Sequence, residues 1–173
     1  MVAKATFASY IATMARSPHY HVKTFLAPNC IGYLVSRAYA SNRAQLERLF
    51  DHEDINFTQW RVLMCLRENI ANTAADMSRE LAHDKGSMTR LVDQLESQGL
   101  LKRHQGKTDR RVVVLSLSAS GRAAVNRLVP RVVGYYNTLL ADFSPQEVKQ
   151  LTQLLTKLKS ALQSLHERQG DEP

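Results

Sequence analysis

Basic side chains are concentrated in one short polar stretch of this sequence. Between positions 102 and 111 the chain carries five cationic residues and a single carboxylate, in the order Lys102, Arg103, Lys107, Asp109, Arg110 and Arg111. An arginine at the tip of such a segment can enter the narrow minor groove of A·T-rich DNA, where the negative potential is enhanced. A carboxylate two residues away can hold that guanidinium through bidentate hydrogen bonds. The spacing predicts that Asp109 orients Arg111 for DNA contact, although a surface ion pair worth at most about 1 kcal/mol would show the same pattern.

A second polar group lies just upstream, on a predicted helix that begins near Asp84 and ends at Gly99. The apolar residues of this helix form one narrow stripe. The other face carries the polar side chains Lys85, Ser87, Thr89, Arg90, Asp93 and Gln94. Such a helix can insert into the major groove of B-DNA, which is about 12 Å wide, where Lys85 and Arg90 would reach phosphate or guanine. Taken alone, a solvated helix face explains the pattern equally well.

The elements around these two groups predict a winged helix-turn-helix. Short helices are predicted to start at Thr58, Thr73 and Asp84, whose side chains can cap a first turn. The tight connection at residues 83–84 is typical of a helix-turn-helix. Residues 100–104 and 111–117 are rich in β-formers and flank a polar turn, which predicts a hairpin that would form the wing. We therefore expect a mainly α-helical fold with a small β-hairpin wing.

Long helices are predicted on either side of this centre. Apolar residues recur at helical spacing from position 29 to about 50, and again after a predicted Ser118 N-cap, where Pro130 should kink the helix. The last helix starts at a capping box, residues 144–147, and its apolar residues then step by three and four. The leucines that we expect to contact a second subunit are Leu151, Leu155, Leu158 and Leu162. Long helices around a small centre favour dimerisation, and an intramolecular core stripe is the alternative.

Composition limits the classes of function. The chain has 173 residues, of which 44% are hydrophobic, so it is close to the usual size of one domain and can bury a core. A formal charge of +7 and a pI near 9.6 suit a polyanionic partner such as nucleic acid or an anionic membrane surface. The sequence has no apolar run of the roughly 18 residues that span a bilayer and no recognisable signal peptide, so we expect a cytoplasmic protein. Two cysteines are too few for a disulfide framework or a cysteine-based zinc site, and we expect neither a metal nor a cofactor.

The stretch formed by residues 57–121 resembles the MarR family of bacterial transcription regulators. The resemblance is carried by residues 85–96 (KGSMTRLVDQLE), by Gly99-Leu100, by the wing sequence at 109–111 (DRR) and by residues 115–121 (LSLSASG). Ser118 stands where Thr is commoner in the family, and since either residue can cap a helix, this departure changes little. With the flanking helices included, the match covers about residues 29–168.

The resemblance implies a homodimer that binds double-stranded operator DNA of pseudo-palindromic sequence, usually as a repressor. It also implies a winged helix-turn-helix domain placed between N- and C-terminal dimerisation helices. The implied domains are an N-terminal extension (1–28), a dimerisation helix (29–56), a DNA-binding lobe (57–118) and the C-terminal dimerisation helices (119–173). The residues expected to serve DNA binding are Lys85, Ser87, Thr89, Arg90, Arg103, Lys107, Asp109, Arg110 and Arg111.

Many members of the family respond to small phenolic or carboxylated aromatic molecules bound between the dimerisation helices and the DNA-binding lobe. In this sequence Tyr33 and Arg37 lie one helical turn apart, and Trp60 begins the next helix. Arg37 could pair with an anionic effector while the aromatic rings supply stacking surface. The alternative is that Trp60 belongs to the core and that Arg37 forms a salt bridge between subunits.

Oxidation would be a different trigger for the same kind of regulator. Cys30 lies about where the peroxide-sensing members of the family carry their reactive thiol. A buried structural cysteine is the commoner case, and Tyr33 and Tyr39 are not at the spacing expected for tyrosine partners of that thiol. The thiol-based sensor is therefore the alternative to the aromatic effector.

Two other classes of protein compete with a regulator. An enzyme is disfavoured because the sequence has no glycine-rich phosphate loop, no G-x-S-x-G elbow and no H-E-x-x-H motif. His19 and His21 could supply two metal ligands, but no carboxylate or cysteine lies near them in the sequence. A protein that coats DNA without sequence specificity would explain the charge, although it would not need the Asp109–Arg111 pair.

Overall fold

The computed structural model describes residues 18–106 and 109–170. Its helices and strands are α1 (Ile31–Leu49), α2 (Phe57–Arg67), α3 (Ala74–Glu80), α4 (Lys85–Ser97), β1 (Leu101–Gln105), β2 (Val113–Leu117), α5 (Ala119–Leu139) and α6 (Pro145–Gly170). Short 3₁₀ helices at Val22–Thr24 and Ala27–Asn29 precede α1. The predicted fold class, mainly α-helical with a small hairpin, is confirmed. The chain separates into two compact units, the first ending at Gln45 and the second beginning at Leu46. Within the described ranges, every helix is too short or too polar to cross a membrane.

Helix α2 begins earlier than the sequence pattern predicts. The Asn56 side chain accepts a hydrogen bond from the Gln59 N–H at 2.9 Å, and the Gln59 side chain accepts one from the Asn56 N–H at 2.9 Å. These reciprocal bonds form a capping box. The prediction that Thr58 caps this helix is wrong, because Thr58 already lies inside it. Asn56 is the better cap because Gln59 returns its bond, whereas Thr58 is followed three residues later by Arg61.

Helices α3 and α4 form the predicted helix-turn-helix, and both of their N-caps are confirmed. Thr73 Oγ1 accepts a hydrogen bond from the Asp76 N–H at 3.1 Å. Asp84 Oδ1 accepts one from the Ser87 N–H at 2.8 Å. Helix α4 ends before Gly99, as predicted, and the φ of +69° at Gly99 is a conformation that favours glycine.

The turn between α3 and α4 is closed by bonds between Ser78 and His83. The His83 N–H donates to the Ser78 carbonyl at 2.9 Å, and Ser78 Oγ donates to the His83 carbonyl at 2.6 Å. The neighbouring Met77 and Met88 are fully buried. The two helices are therefore held to each other by the hydrogen bonds of this turn and by the core beneath them.

Strands β1 and β2 form an antiparallel hairpin, in register from Leu101 with Leu117 to Gln105 with Val113. The second strand starts later than predicted because the turn extends as far as Val112. Within that turn the Gly106 N–H donates to the Val112 carbonyl at 2.8 Å, and the Val112 N–H donates to the Asp109 carbonyl at 3.1 Å. The Leu115 N–H donates to the Asn72 carbonyl at 2.7 Å, which ties β2 to the residues just before α3.

The first turn of α5 lies against the turn that leads from α4 into the wing. Ser118 caps α5 as predicted: its Oγ accepts from the Gly121 N–H at 2.9 Å and donates to the Gly99 carbonyl at 2.6 Å. A Cβ on Gly121 would lie 1.9 Å from the Leu100 carbonyl oxygen. Glycine alone fits at this position. Pro130 lies inside α5 without ending it.

The hydrophobic core lies in the second unit and joins these elements. Side chains without exposed surface come from α2, α3, α4 and α5, and they are Val62, Leu63, Met77, Met88, Val92, Leu95 and Val125. Burying one large aliphatic or aromatic side chain is worth roughly 1.5–3 kcal/mol. The apolar stripe predicted for α4 is thus buried, and its burial leaves the polar face of that helix exposed.

Ion pairs attach the long C-terminal helices to this centre. Arg127 of α5 lies 3.2 Å from the carboxylate of Glu53, which Arg131 also contacts. Glu53 precedes α2, and its side chain is only 10% exposed. Lys159 of α6 lies 3.0 Å from Glu80 at the end of α3.

Candidate nucleic-acid interface

Helix α4 presents its polar face to solvent. Lys85, Thr89 and Arg90 are exposed, and Ser87 is half-buried. Arg90 Nη2 donates to Ser87 Oγ at 3.3 Å, and Thr89 Oγ1 donates to the Lys85 carbonyl at 3.0 Å. Over residues 18–106 and 109–170, no carboxylate forms an ion pair with Lys85 or Arg90. Both cations are exposed on the first two turns of the helix, where they can reach an anionic partner.

The tip of the wing is exposed, and its predicted internal contact is made differently. Asp109, Arg110 and Arg111 are all exposed. Asp109 Oδ1 accepts a hydrogen bond from the backbone N–H of Arg111 at 2.8 Å, and not from its guanidinium as the spacing predicts. A short Asp side chain reaches the backbone two residues on more easily than it reaches the end of a long Arg side chain. The Asp109 carboxylate thus shapes the turn and leaves the Arg111 guanidinium exposed. Lys107, predicted to bind DNA, lies outside the described residues.

Arg103 is the exception among the predicted DNA-binding cations, because its side chain points toward α4. Its guanidinium is paired with Asp93, at 2.5 Å, and with Glu96. The hydrogen bonds that Arg103 donates to Asp93 and Glu96 stabilise its charged form and raise its pKa. Arg103 therefore joins the wing to α4.

Asp93 and Glu96 were not predicted to take part in this arrangement. Their spacing of three residues on a helix places both carboxylates on one side, which was the available signal. A cross-strand contact on the wing was not predicted either: His104 Nε2 lies 2.7 Å from Ser116 Oγ. Both contacts depend on how the hairpin folds onto α4.

The residues predicted to bind an effector fall into different units. Tyr33 is 47% exposed and Arg37 is also exposed, and both lie in the first unit. Trp60 lies in the second unit, where its ring packs beside Phe50 at 5.6 Å and Phe57 at 6.1 Å between centroids. Trp60 Nε1 is buried and has no hydrogen-bond partner among the described residues. Trp60 is thus partly buried, packs against the core and carries an unsatisfied donor.

A separate surface depression of about 440 Å³ lies beside this aromatic cluster. Phe50 and Phe57 line it together with polar and acidic side chains from the end of α1, the loop that follows and the start of α2. Its walls are acidic, so it differs from the cationic pocket that the sequence predicts for an anionic effector.

The alternative redox residue and the predicted dimer contacts are placed as follows. Cys30 is half-buried and directly precedes α1, and its Sγ would lie 3.9 Å from a Cβ on Gly32.

On α6 the exposed fractions are 42% for Leu151, 46% for Leu155 and 58% for Leu162. Leu158 is half-buried. Most of the predicted stripe is therefore uncovered within one chain.

An exposed basic helix face, a basic hairpin beside it and a core that fixes both define a winged helix-turn-helix DNA-binding protein. The family model of the MarR family matches residues 55–113. The organic hydroperoxide resistance transcriptional regulator of Bacillus subtilis is 32% identical over 133 residues, which cover 75% of this chain and 87% of that protein. The chain therefore belongs to the MarR family of transcription regulators, which bind DNA and are not enzymes.

Two solved structures show the same fold. One is Bordetella bronchiseptica BpsR, whose DNA binding is regulated by 6-hydroxynicotinic acid; it is 26% identical, with a TM-score of 0.66 over 83% of this chain and 98% of that one. The other is a mutant of Escherichia coli MarR complexed with operator DNA; it is 26% identical, with a TM-score of 0.65 over 78% of this chain and 99% of that one.

Proposed function

We propose that this protein is a homodimeric repressor that binds a pseudo-palindromic operator and releases it when an aromatic carboxylate binds. The observation that carries the DNA-binding part is the pair of cationic surfaces, Lys85 and Arg90 on α4 and Arg110 and Arg111 on the wing. Both surfaces stand on elements anchored in one core, as a major-groove helix and a minor-groove wing require.

The exposed leucines of α6 support the homodimer. A second copy that covered Leu151, Leu155 and Leu162 would remove apolar surface from water, at roughly 25 cal/mol per Å². A twofold axis would then present two copies of α4 to successive turns of the major groove, about 34 Å apart. A pseudo-palindromic operator follows from that symmetry.

The effector class is supported by one relative and by one side chain. BpsR responds to an aromatic carboxylate, 6-hydroxynicotinic acid. The buried Trp60 N–H can only donate a hydrogen bond, so any partner must be an acceptor, such as a carboxylate or a phenolate. Arg37 and Tyr33 stay the contacts predicted on α1.

Selection of DNA from a random-sequence pool tests the operator part. A repressor enriches one pseudo-palindromic motif, whereas a protein that coats DNA enriches none. Fluorescence anisotropy at fixed salt then measures release of the selected duplex by 6-hydroxynicotinic acid and by a panel of hydroxybenzoic acids. We expect Arg37→Ala and Trp60→Phe to bind the duplex like wild type and to lose the response. Unimpaired release from both variants would contradict this assignment of the effector contacts.

Oxidation of Cys30 is the second candidate trigger, favoured by the position of this half-buried thiol just before α1 and by the Bacillus subtilis relative named for organic hydroperoxide resistance. In this case the thiolate sulfur attacks the terminal oxygen of the hydroperoxide, forming the S–O bond of the sulfenic acid as the O–O bond breaks; the alkoxide leaves and takes a proton from water to become the alcohol. Cys30→Ser would then bind DNA but ignore cumene hydroperoxide. Cys65→Ala is the matched control, because Cys65 is 4% exposed and burial raises the pKa of its thiol, which makes it a poor nucleophile.

A further inference from the structure

Arg103 lies on the inner face of the wing, close to the core. Alternate residues of a strand point to the same side, so Arg103 shares a face of β1 with Leu101, which is 1% exposed. Its cross-strand partner, Leu115, is 3% exposed. The neighbouring cation Lys102 points the other way and is exposed. The stem of Arg103 therefore belongs to the junction between the wing and the helices.

Two carboxylates of α4 hold the Arg103 guanidinium at this junction. Nη2 lies 2.5 Å from Asp93 Oδ1, and Nη1 is paired with Glu96 Oε2. Each carboxylate uses a different nitrogen, which the planar fork of an arginine allows and the single ammonium of a lysine does not. The arrangement links the third residue of β1 to two successive turns of α4.

The same contact changes the charge that α4 presents to DNA. The first half of α4 carries the cations Lys85 and Arg90, and its second half carries Asp93 and Glu96. Carboxylates within a Debye length of phosphate, about 8 Å at physiological salt, repel it. Arg103 offsets part of that repulsion, and each of its two Nη atoms donates to one of the two acids.

We propose that Arg103 is a positioning residue for operator recognition. By binding Asp93 and Glu96 it holds the wing at one separation from α4, so that the major-groove and minor-groove elements reach DNA together, and it does not contact DNA itself. Recognition surfaces must be held to within about 0.5 Å of their working geometry. Buried Leu101 and Leu115 anchor the base of the hairpin in the core, and the ion pairs of Arg103 fix its outer part against α4. This inference rests on the proposed operator binding.

Neutralising Asp93 and Glu96 gives a test in which the direction of the change in DNA affinity decides. The probes are a fluorescein-labelled duplex selected by the wild-type protein and a shuffled duplex of the same composition. The variant Asp93→Asn/Glu96→Gln gains two units of positive charge, which by charge alone tightens binding to both duplexes. The positioning role instead predicts that affinity for the selected duplex falls about tenfold, while the shuffled duplex is bound equally well or more tightly. A parallel gain on both duplexes would overturn the inference.

Conservative replacement of Arg103 gives a second test that does not depend on the first. Arg103→Lys keeps the positive charge but loses the planar guanidinium that binds both acids. We therefore expect affinity for the selected duplex to fall about fivefold, with an unchanged slope of log K against log salt concentration. A cation that contacts phosphate contributes about 0.9 to that slope. Lys102→Ala is the matched control and should lower the slope while preserving the ratio between the two duplexes.

The outcomes separate the positioning role from direct contact. If Arg103→Lys binds the selected duplex as tightly as wild type, the inference is overturned. It is also overturned if Arg103→Ala lowers the slope of log K against log salt by about one and leaves the ratio of affinities for the two duplexes unchanged, because Arg103 then contacts phosphate. Circular dichroism checks that each variant is folded. If Arg103→Ala does not fold, the affinity of Arg103→Lys decides between positioning and direct contact. A wild-type protein that selects no sequence would contradict the proposed function, and the inference with it.

Discussion

Gly121 is the position where one added methyl group should do most damage to the DNA-binding lobe. In Gly121→Ala the new Cβ would lie 1.9 Å from the Leu100 carbonyl oxygen, 2.9 Å from its carbon and 3.1 Å from Leu117 Cδ2. The first two atoms belong to the backbone, so no side chain can turn away to make room. The Leu100 carbonyl would have to move by about 1 Å to reach even a strained contact of 3.0 Å.

The expected loss of stability has two parts. Overpacking of a tightly packed site costs about 1–3 kcal/mol. The same carbonyl accepts a hydrogen bond from the Ser118 N–H at 3.2 Å, and its loss adds about 0.5–1.5 kcal/mol. We therefore expect Gly121→Ala to lower the free energy of unfolding by about 2–4 kcal/mol. For a chain of this length each kcal/mol shifts Tm by roughly 2–4 °C, so Tm should fall by about 10 °C.

Thermal and urea unfolding followed by circular dichroism, at one protein concentration, measure this change. Gly134→Ala is the matched control, since Gly134 lies in the same helix and a Cβ there meets nothing within 4 Å. Alanine is a better helix former than glycine, so that variant should gain about 0.5–1 kcal/mol. A Gly121→Ala variant as stable as wild type would refute the close approach of α5 to Leu100.

Three further results are expected. Leu155→Lys/Leu158→Lys should convert the protein to a monomer or unfold it, as measured by light scattering, and a folded dimer would contradict the role of the α6 stripe. Arg90→Ala should lower operator affinity by roughly 1–3 kcal/mol and relax specificity at one base, whereas Arg111→Ala should weaken binding most at A·T-rich flanks; unchanged anisotropy titrations for both would contradict the winged-helix mode of binding. Stability should fall in acid, because a hydrogen bond from the Ser87 backbone N–H lowers the pKa of the Asp84 carboxyl below its ordinary value of 3.8 and the unfolded chain therefore binds a proton first. The variant Asp84→Asn keeps the cap but not the titrating group. In urea titrations it should lose less stability than wild type as pH falls below about 4.

The acid prediction includes two other helix caps that act in the same direction. Hydrogen bonds from Thr73 and Arg79 lower the pKa of Asp76, and hydrogen bonds from Ser144 lower the pKa of Glu147. A carboxyl whose pKa is lower in the folded state adds stability above its unfolded pKa and loses it as pH falls through the folded pKa. A residual acid loss in Asp84→Asn is therefore expected, and the difference from wild type is the quantity to compare.

Most of the fold could be predicted from the sequence because its signals are local. The caps at Thr73, Asp84 and Ser118 each use a side chain that bonds to a backbone N–H three residues later. The stripe on α4 is visible as a helical repeat. The start of α2 was misplaced because two polar residues, Asn56 and Thr58, compete there, and the reciprocal bond from Gln59 decides between them.

The candidate site was predictable as a set of residues but not as a set of contacts. The clustering of cations on one helix and one hairpin could be predicted because both are short segments with clear periodicity. The pairing of Arg103 with Asp93 and Glu96, the exposure of Arg111 and the bond from the Arg111 backbone N–H to Asp109 depend on how the chain folds. A side chain's partner depends on how one element packs against another, and the energies of surface ion pairs are too similar for spacing alone to choose between them.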